Sequence, residues 1–320
     1  MQYASYPLTL RQLQYALAVA ETRSFRRAAE RCHVSQPALS TQLAQLESAL
    51  GTVLFERNRR RVLVTAAGAE LLRRASRVLL AADDLVESAK GIGDPLAGSL
   101  RIGIIPTISP YLLPTIAAAL RDAHPRLTVQ WVEDKTDVLV RELEQGKIDA
   151  ALLALEADLG EVDHAVIARD PFVLATSTAH PLGRGARPVR AEDLRGEPVL
   201  LLDDGHCFRE QALQVCQDSG AEELGFRATS LGTLTQMVAS GAGVTLLPRL
   251  AVPTEARRGA VALRRFAKPA PQRTLALVWR PTSPLAVALR TLAGTMEGAY
   301  ETLEPQLEAA LAPVRKHRPA

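Results

Sequence analysis

The feature that most constrains the fold is a regular alternation of short apolar runs with helical segments beyond residue 100. Short apolar strands that alternate with helices predict parallel sheets, whose ligands bind beyond the carboxyl ends of the strands. The chain is predicted to cross from a first subdomain into a second near Asp170 and to return to the first near Arg273. These crossings predict two α/β subdomains with a cleft between them. The predicted strands are residues 100–105, 127–132, 150–155, 172–175, 199–202, 244–248 and 275–279, and the predicted helices are 111–123, 138–145, 231–240 and one from Cys207.

The first 65 residues have the pattern of a winged helix-turn-helix. Apolar residues with a period near 3.6 predict a first helix that contains Leu10, and Ser24 is placed to cap a second. Ser35 caps a third helix, Pro37 suits its first turn, and Gly51 ends it. A cap, a turn and three helices at this spacing predict that the third helix enters the major groove of DNA.

Small and amide side chains cover the outward face of this third helix, where they can approach base edges without clashing. Such a face is often only solvated surface, but here it coincides with the helix-turn-helix spacing and with an arginine-rich turn suited to phosphates. We predict DNA contacts from both features. The predicted DNA-binding residues are Ser35, Gln36, Pro37, Ser40, Thr41 and Gln42 on the helix, and Arg57, Arg59, Arg60 and Arg61 in the wing.

Charge is unevenly distributed along the chain. The first 65 residues hold nine arginines and four glutamates with no lysine or aspartate, whereas the net charge of all 320 residues is +3. The remainder is therefore mildly acidic. A basic module on an acidic body predicts a polyanion partner, here double-stranded promoter DNA, for the amino-terminal module alone.

Composition and cysteine usage set the compartment. The chain is 47% hydrophobic, yet no apolar run approaches the roughly 18 residues that a membrane span needs. No signal peptide opens the sequence, so we expect a cytoplasmic protein with no membrane partner. Three cysteines in that compartment argue against a structural disulfide framework. Cys32 ends the second helix and is interpreted as a small core residue.

Residues 66–90 form an uninterrupted helical pattern without proline. One exposed helix of this length cannot bury its apolar stripe alone, so we predict that it packs on its twin in a dimer. The cluster Gly91, Gly93, Asp94, Pro95 and Gly98 is typical of a hinge.

Cys207 and Cys216 lie nine positions apart in one helical segment. Nine residues of helix separate two Cα atoms by roughly 13 Å and place the side chains on opposite faces. A disulfide needs Cα atoms only about 4.4–6.8 Å apart. The bond therefore cannot form unless the helix unravels.

Cys207 is the thiol that the sequence marks as reactive. The positive end of a helix macrodipole, His206 and Arg209 all stand beside it and are expected to lower its pKa. Cys216 has no such neighbours. One reactive thiol and one buried partner describe a redox switch with a sulfenic acid intermediate, although plain buried thiols remain the alternative.

A metal site at this segment is not expected, because His206, Cys207 and Cys216 cannot meet around one ion across a helix. No cofactor is predicted either. The loops that leave strands on the cleft are residues 106–109, the turn at Thr136 and residues 204–207, any one of which could be an ordinary helix cap. Together they place hydroxyls and an imidazole around the thiol.

Several motifs resemble the LysR-type transcriptional regulators. They are residues 25–30 (FRRAAE), 34–40 (VSQPALS) and 54–57 (LFER). Within that family, further segments of this chain resemble the peroxide-sensing members. They are residues 104–107 (IIPT), 205–212 (GHCFREQA) with Cys216, 226–231 (FRATSL) and 243–248 (GVTLLP). The likeness extends over nearly all of the chain up to about residue 300.

The resemblance implies a role for each matching residue. Cys207 would be the peroxidatic thiolate and Cys216 the resolving thiol, while Thr107, Thr136 and His206 would hold hydrogen peroxide. Arg209 would stabilise the charged sulfur. The family also implies a homotetramer built as a dimer of dimers, gene activation through RNA polymerase, and reduction by a thiol reductant of glutaredoxin or thioredoxin type.

The implied fold is α/β, with an N-terminal winged helix-turn-helix, a long linker helix and a two-subdomain, periplasmic-binding-protein-like effector domain. The predicted boundaries are 1–65 for DNA binding, 66–94 for the linker helix and hinge, and 95–303 for the redox-sensing domain, whose subdomain I is 95–169 with 273–303 and whose subdomain II is 170–272. The tail, 304–320, matches no motif.

Two other functions are compatible with the same residues. A LysR-type regulator could bind a small metabolite in its cleft while the cysteines stay idle. A thiol peroxidase, which would destroy peroxide rather than report it, is disfavoured by the DNA-binding head, and we predict that the protein is not an enzyme.

Overall fold

The structure is a computed structural model that describes residues 6–58, 61–90, 96–185, 187–258 and 260–311. The chain forms two units, residues Met1–Gly93 and Asp94–Ala320. Within the described residues, no helix is both long and apolar enough to cross a bilayer.

The first unit is a winged helix-turn-helix followed by a long helix. Thr9 caps α1 through a capping box with Gln12, Ser24 and Ser35 cap α2 and α3, and Gly51 ends α3 with a left-handed φ of 63°. The predicted caps are therefore confirmed. The elements are α1 (Leu10–Thr22), α2 (Phe25–Arg31), α3 (Gln36–Leu50), β1 (Phe55–Asn58), β2 (Arg61–Val64) and α4 (Ala66–Lys90).

Leucines of α3 pack against α1 and α2 to form the core of this unit. Leu39, Leu43 and Leu46 are fully buried together with Ala16 and Val19 of α1. Their spacing of three and four residues places them on one face of the helix, which leaves the opposite face free. The 25-residue helix α4 keeps exposed apolar side chains at Val78, Leu85 and Val86.

The second unit follows the alternating pattern that the sequence predicts, with additional elements. The ends of the predicted segments agree with the structure to within a few residues, except for the strand predicted at 172–175, because β6 begins nine residues earlier at Asp163. In chain order the unit contains β3 (Gly98–Ile104), α5 (Ser109–Ala123), β4 (Leu127–Glu133), α6 (Thr136–Glu144), β5 (Ala150–Ala154), β6 (Asp163–Ser177), β7 (Pro198–Leu202), α7 (Cys207–Ser219), β8 (Glu222–Ala228), α8 (Leu231–Ala239), β9 (Thr245–Pro248), α9 (Val252–Arg258), β10 (Val261–Arg265), β11 (Gln272–Trp279), α10 (Ala286–Glu301) and α11 (Glu304–Ala310).

The prediction of purely parallel sheets is wrong. Within the described strands, β3 pairs in parallel with β4 and β5, and β7 pairs in parallel with β8. The long strands β6 and β11 are antiparallel to each other, and Asp170 lies directly opposite Arg273. β6 carries the chain out of one half of the unit and β11 returns it, so these two strands must run in opposite directions. One seven-stranded sheet, with the order β10-β6-β11-β5-β3-β4 and β9 beside β6, results.

The second unit contains two hydrophobic cores, and α7 contributes to both. Cys207 belongs to the first core, which includes Ile102 and Leu152. Cys216 belongs to the second core, which includes Leu201. A single helix therefore places its two thiols in different cores.

The helix α11 contacts both cores as well, and it lies in the tail to which the sequence assigns no role. Leu307 is buried in the first core, whereas Ala310 packs against the second. The Arg249 guanidinium donates hydrogen bonds to the carboxylates of Glu304 at 2.5 Å and Glu308 at 2.9 Å. These ion pairs hold α11 across the two cores. Residues 312–320 lie outside the described part of the chain.

Candidate functional site

A narrow recess with about 150 Å³ of empty space lies where β3 ends and where α6 and α7 begin. Thr136 is the first residue of α6 and Cys207 is the first residue of α7. Helix N-termini and the carboxyl end of a parallel strand therefore meet at this point, as ligand sites of α/β folds do. The recess is lined by Ile105, Pro106, Thr107, Lys135, Thr136, His206 and Cys207.

Gly205 allows the turn before α7 to approach α6 closely. Its φ of 86° is left-handed, and a Cβ atom built there would lie 2.9 Å from the Cδ atom of Lys135. A side chain at this position would strain the backbone and displace the Lys135 side chain. Glycine therefore lets the turn adopt this conformation against Lys135.

Burial dominates the environment of the Cys207 thiol. The residue is only 7% exposed, and burial raises the pKa of the thiol above its ordinary value. The nearby Thr136 hydroxyl and the positive charge of Arg273 act in the opposite direction. The prediction of a lowered pKa is therefore wrong, because removal from water outweighs the groups that favour the thiolate.

His206 does not influence the Cys207 thiol in the way that the sequence predicts. Burial, followed by the positive charge of Lys135, lowers the pKa of His206, so this imidazole is neutral at neutral pH. A neutral imidazole can donate one hydrogen bond and accept another. It therefore suits a small polar guest better than it suits the stabilisation of an anion.

The Thr136 hydroxyl is the polar group of the recess that lacks a conventional partner. Its oxygen is fully buried and makes no hydrogen bond to an oxygen or nitrogen atom of the described residues. The same hydroxyl lies close enough to the Cys207 sulfur to lower the pKa of the thiol. Buried hydroxyls nearly always find partners, so an unsatisfied one beside a thiol indicates a place for a ligand.

A buried ion pair holds the opposite wall of the recess. Arg273 and Asp170 are both fully buried, and the Arg273 Nε atom donates to the Asp170 carboxylate at 3.0 Å. Arg273 also donates to the Thr107 hydroxyl at 2.7 Å and to the Thr107 carbonyl at 3.0 Å. Its guanidinium carbon lies 5.7 Å from the centre of the Phe208 ring in α7. Arg273 thus joins β11, β6, the loop after β3 and α7.

The Cys216 thiol has a different environment on the same helix. It is 4% exposed in the second core, and burial with the negative charge of Glu223 raises its pKa to about 11. Cys32, Cys207 and Cys216 are all in the reduced, thiol form, with no disulfide between them. Because α7 is an intact helix between the two sites, the separation of roughly 13 Å expected from the helical rise applies.

The first unit presents the second candidate surface. Ser35, Gln36, Pro37 and Thr41 are exposed at the start of α3, and Ser40 is half-buried. The Gln42 side-chain oxygen accepts a hydrogen bond from Gln12 of α1 at 3.1 Å, so a contact of Gln42 with a base would use its amide NH2 group. Arg57 and Arg61 lie in the wing strands with side chains outside the description, and Arg59 and Arg60 lie outside the described residues.

Two family descriptions match this chain and together cover most of it. Residues 10–69 match the bacterial regulatory helix-turn-helix protein, lysR family, and residues 93–300 match the LysR substrate binding domain. The chain belongs to the LysR family. It is a bacterial type of transcription regulator with a helix-turn-helix head and a larger carboxyl-terminal domain.

Curated relatives of this LysR-family chain share its full length. The hydrogen peroxide-inducible genes activator of Pectobacterium carotovorum subsp. carotovorum is 45% identical over 301 residues, which are 92% of this chain and 99% of that protein. The DNA-binding transcriptional dual regulator OxyR of Escherichia coli K12 is 43% identical over 304 residues, with 93% and 99% covered.

Solved structures of the same kind also superpose on this chain. A full-length OxyR variant of Pseudomonas aeruginosa has a TM-score of 0.71 at 35% identity, with 91% of this chain and 98% of that chain covered. A Corynebacterium glutamicum OxyR variant with bound hydrogen peroxide has a TM-score of 0.64 at 35% identity, with 95% and 98% covered.

The structure of this LysR-family protein moves Arg209 away from its predicted role at the sulfur. Its Nε atom pairs with Asp204 at 2.9 Å, one terminal nitrogen donates to Glu223 at 2.9 Å, and the other donates to the Leu202 carbonyl at 3.4 Å. Two carboxylates thus neutralise this charge. The positive charge that acts on the Cys207 thiol comes from Arg273.

The sequence-based selection omits one residue that lines the recess, Lys135, and one that contacts a lining residue, Arg273, as well as Gln211 on α7 and Gln45 on α3. Arg273 could have been found as a charge inside an apolar strand opposite Asp170, and Lys135 as the residue immediately before Thr136. Gln211 lies one helical turn after Cys207, and neither of its buried amide atoms has a hydrogen-bond partner among the described residues. Gln45 is exposed one turn beyond Thr41 on α3.

Proposed function

We propose that this LysR-type regulator senses hydrogen peroxide at Cys207 and passes the signal to promoter DNA through a Cys207–Cys216 disulfide. The observation that carries the proposal is a buried thiol that faces an unsatisfied hydroxyl, Thr136, in a recess of about 150 Å³. The recess is far smaller than the pockets of about 300–1,000 Å³ that hold ordinary metabolites, so it suits a guest as small as hydrogen peroxide better than a metabolite.

The polar groups of the recess match the needs of hydrogen peroxide. Each oxygen of the peroxide can donate one hydrogen bond and accept others, and Thr107, Thr136 and His206 line the space with hydroxyls and a neutral imidazole. Arg273 fixes the Thr107 hydroxyl by donating to it at 2.7 Å. The Thr107 hydroxyl hydrogen is therefore directed away from Arg273 and toward a guest.

The chemistry needs no cofactor. The thiolate of Cys207 attacks one peroxide oxygen, an S–O bond forms as the O–O bond breaks, and the departing hydroxide takes up a proton to leave as water. The thiol of Cys216 then attacks the sulfenic sulfur, an S–S bond forms, the S–O bond breaks and a second water leaves. Two thiols and one peroxide thus give one disulfide and two waters.

The disulfide requires a change of fold because the intact helix α7 keeps its two ends in separate cores. A bond between the sulfurs brings their Cα atoms to about 4.4–6.8 Å, which a continuous helix of this length does not permit. Oxidation therefore unwinds α7 and alters the surface around it. Packed cores are bistable, so such a local change is amplified into a new arrangement of subunits and of their DNA-binding heads.

The partners follow from the proposed function and from the family resemblance. Exposed Gln36 and Thr41 would read bases of double-stranded promoter DNA, and α4 would pair with its twin through Val78, Leu85 and Val86. We further propose that the protein forms a homotetramer, built as a dimer of dimers, and activates genes through RNA polymerase. A reductant of glutaredoxin or thioredoxin type would restore the thiols. The protein would act in the cytoplasm and would not be an enzyme.

The test is a titration of the reduced, purified full-length protein with hydrogen peroxide, followed by mass spectrometry of its peptides. We expect loss of two thiols and one Cys207–Cys216 crosslink per chain, and the same result for Cys32→Ser as the matched control. Free thiols at both positions after treatment would contradict the proposal and favour the metabolite-binding alternative. Many turnovers with a thioredoxin-type reductant at enzymatic rates would instead indicate a thiol peroxidase.

DNA recognition is tested by footprinting the reduced and oxidised protein on one promoter. The proposal expects the two states to protect different lengths or spacings of DNA, because the heads change their separation. Identical footprints would count against a switch in DNA selectivity.

A further inference from the structure

Lys135 joins two loops that belong to different cores. It is the residue that precedes α6, and its ammonium group donates a hydrogen bond of 2.6 Å to the backbone carbonyl of Asp204. The same ammonium lies 3.6 Å from the carboxylate of Asp203. Asp203 and Asp204 begin the turn that leads from β7 to Cys207. One side chain thus ties the start of α6 to the turn that carries the reactive thiol.

The stem of Lys135 packs where the turn has no side chain. A Cβ atom built on Gly205 would lie 2.9 Å from the Lys135 Cδ atom, so the turn fits against this side chain without spare room. Lys135 is also a lining residue of the recess, and its charge lowers the pKa of His206. Geometry, packing and charge all place this residue against the segment from Asp203 to His206.

The other side chains that hold the Asp203–His206 turn belong to the same half of the unit as the turn itself. The carboxylate of Asp204 pairs with Arg209 of α7 and with Arg227 of β8. These contacts belong to α7 and its neighbouring strand, whereas Lys135 belongs to the opposite wall of the recess. When Cys207 leaves the recess for Cys216, the bond between Lys135 and the Asp204 carbonyl has to break.

We propose that Lys135 is a positioning residue that seats the Asp203–His206 turn against α6 and thereby sets the rate at which oxidised Cys207 reaches Cys216. This inference rests on the proposed peroxide sensing and adds a residue to it. Lys135 also lines the recess, so its removal can change both steps, but only the second step requires the turn to move. The rate of that second step is therefore the property that tests this role.

The test separates the two steps in the full-length protein. Lys135→Met keeps the packing stem and removes the ammonium group. Sulfenic acid formation is measured by a dimedone-type trap in a Cys216→Ser background, and the conversion of sulfenic acid to disulfide is then measured separately in the parent background. This second step should accelerate about fivefold, as loss of a partly exposed hydrogen bond implies. Rapid acid quench followed by mass spectrometry measures both species.

Two further variants make the result specific. Lys135→Arg retains a cation that can donate to the Asp204 carbonyl and should return the second step to near the parent rate. Asp203→Asn removes only the longer, partly exposed ion pair and should change that step less than about twofold, since such pairs contribute little. A general loosening of the fold would not be rescued by arginine.

The outcomes distinguish this inference from the proposed function. If peroxide gives no Cys207–Cys216 disulfide in the parent protein, peroxide sensing fails and the role of Lys135 fails with it. If the disulfide forms in the parent and Lys135→Met forms it at the same rate, or if only the first step changes, the role of Lys135 alone is overturned.

Discussion

The two ends of α7 differ in what surrounds their thiols rather than in how deeply the thiols are buried. Cys207 and Cys216 are 7% and 4% exposed, and burial raises the pKa of both. Around Cys207, however, a hydroxyl and a guanidinium favour the thiolate, whereas the charge of Glu223 disfavours it at Cys216. The reactivity proposed for Cys207 thus rests on directed polar groups and a narrow recess, not on a low pKa.

The largest expected effect comes from replacing each of the two cysteines with serine, which exchanges the sulfur atom for oxygen. Cys207→Ser should abolish the response to peroxide completely, because serine is not oxidised and Cys216 lies in an apolar core without a recess. Cys216→Ser should still be oxidised, and its sulfenic acid should accumulate because no resolving thiol remains. Mass spectrometry after one equivalent of peroxide distinguishes the two. Equal oxidation of Cys216 in the Cys207→Ser protein would contradict the comparison.

The next largest effect is expected at the buried ion pair between Arg273 and Asp170, which lies at the Cys207 end of α7 and not at the Cys216 end. Arg273→Met should lower the free energy of unfolding by about 3–5 kcal/mol, because it leaves the Asp170 carboxylate buried without its partner. Urea unfolding of the reduced protein measures this loss. The double variant Arg273→Met with Asp170→Asn should regain most of the stability, yet its Cys207 should still react slowly with peroxide because no positive charge faces the sulfur. Recovery of both properties would show that Arg273 is only structural.

At the Cys216 end of α7, the raised pKa of the thiol predicts that the free energy of unfolding depends on pH. A thiol whose pKa rises from 9.0 in the unfolded chain to about 11 in the fold contributes fully below pH 9, and its contribution is lost as the pH rises to about 11. Two pKa units correspond to roughly 2.7 kcal/mol. The difference in unfolding free energy between the parent protein and Cys216→Ala, measured in urea under reducing conditions, should therefore shrink by about 2–3 kcal/mol over that range. A difference independent of pH would mean that Cys216 is not desolvated.

The smallest expected effect isolates one hydroxyl at the Cys207 end. Thr136→Val is nearly isosteric, and removal of a hydrogen bond to the charged sulfur should slow sulfenic acid formation about tenfold. Stability should stay within about 0.5 kcal/mol, because the hydroxyl has no oxygen or nitrogen partner to lose among the described residues. Thr136→Ser, which retains the hydroxyl, should react like the parent protein. An unchanged rate in the valine variant would remove Thr136 from the site.

Local signals in the sequence predict much of this molecule. Ser24, Ser35 and Gly51 are caps whose effect is confined to one turn, so they locate the helices of the first unit correctly. The alternating apolar runs likewise predict most strands of the second unit. The cysteines are found because a rare residue type recurs within one helix.

Other features depend on contacts between distant segments, which a local pattern does not contain. The first four residues of β6 alternate half-buried with exposed side chains, so only its apolar end around Phe172 is visible in the sequence. Arg273 and Asp170 are separated by 103 positions and meet only after the chain has crossed the unit twice. The pKa of Cys207 could not be predicted from neighbours in sequence, because packing around α7 decides it.

The placement of one thiol in each core has a consequence for how long a signal lasts. Joining the sulfurs displaces side chains that pack well in the dithiol form, and a bond formed against such packing has a more oxidising potential and is easily reduced. In the proposed switch, the oxidised protein is therefore the higher-energy state and the dithiol is the resting state. The signal would then end when cellular thiols reduce the disulfide, without synthesis of a replacement protein.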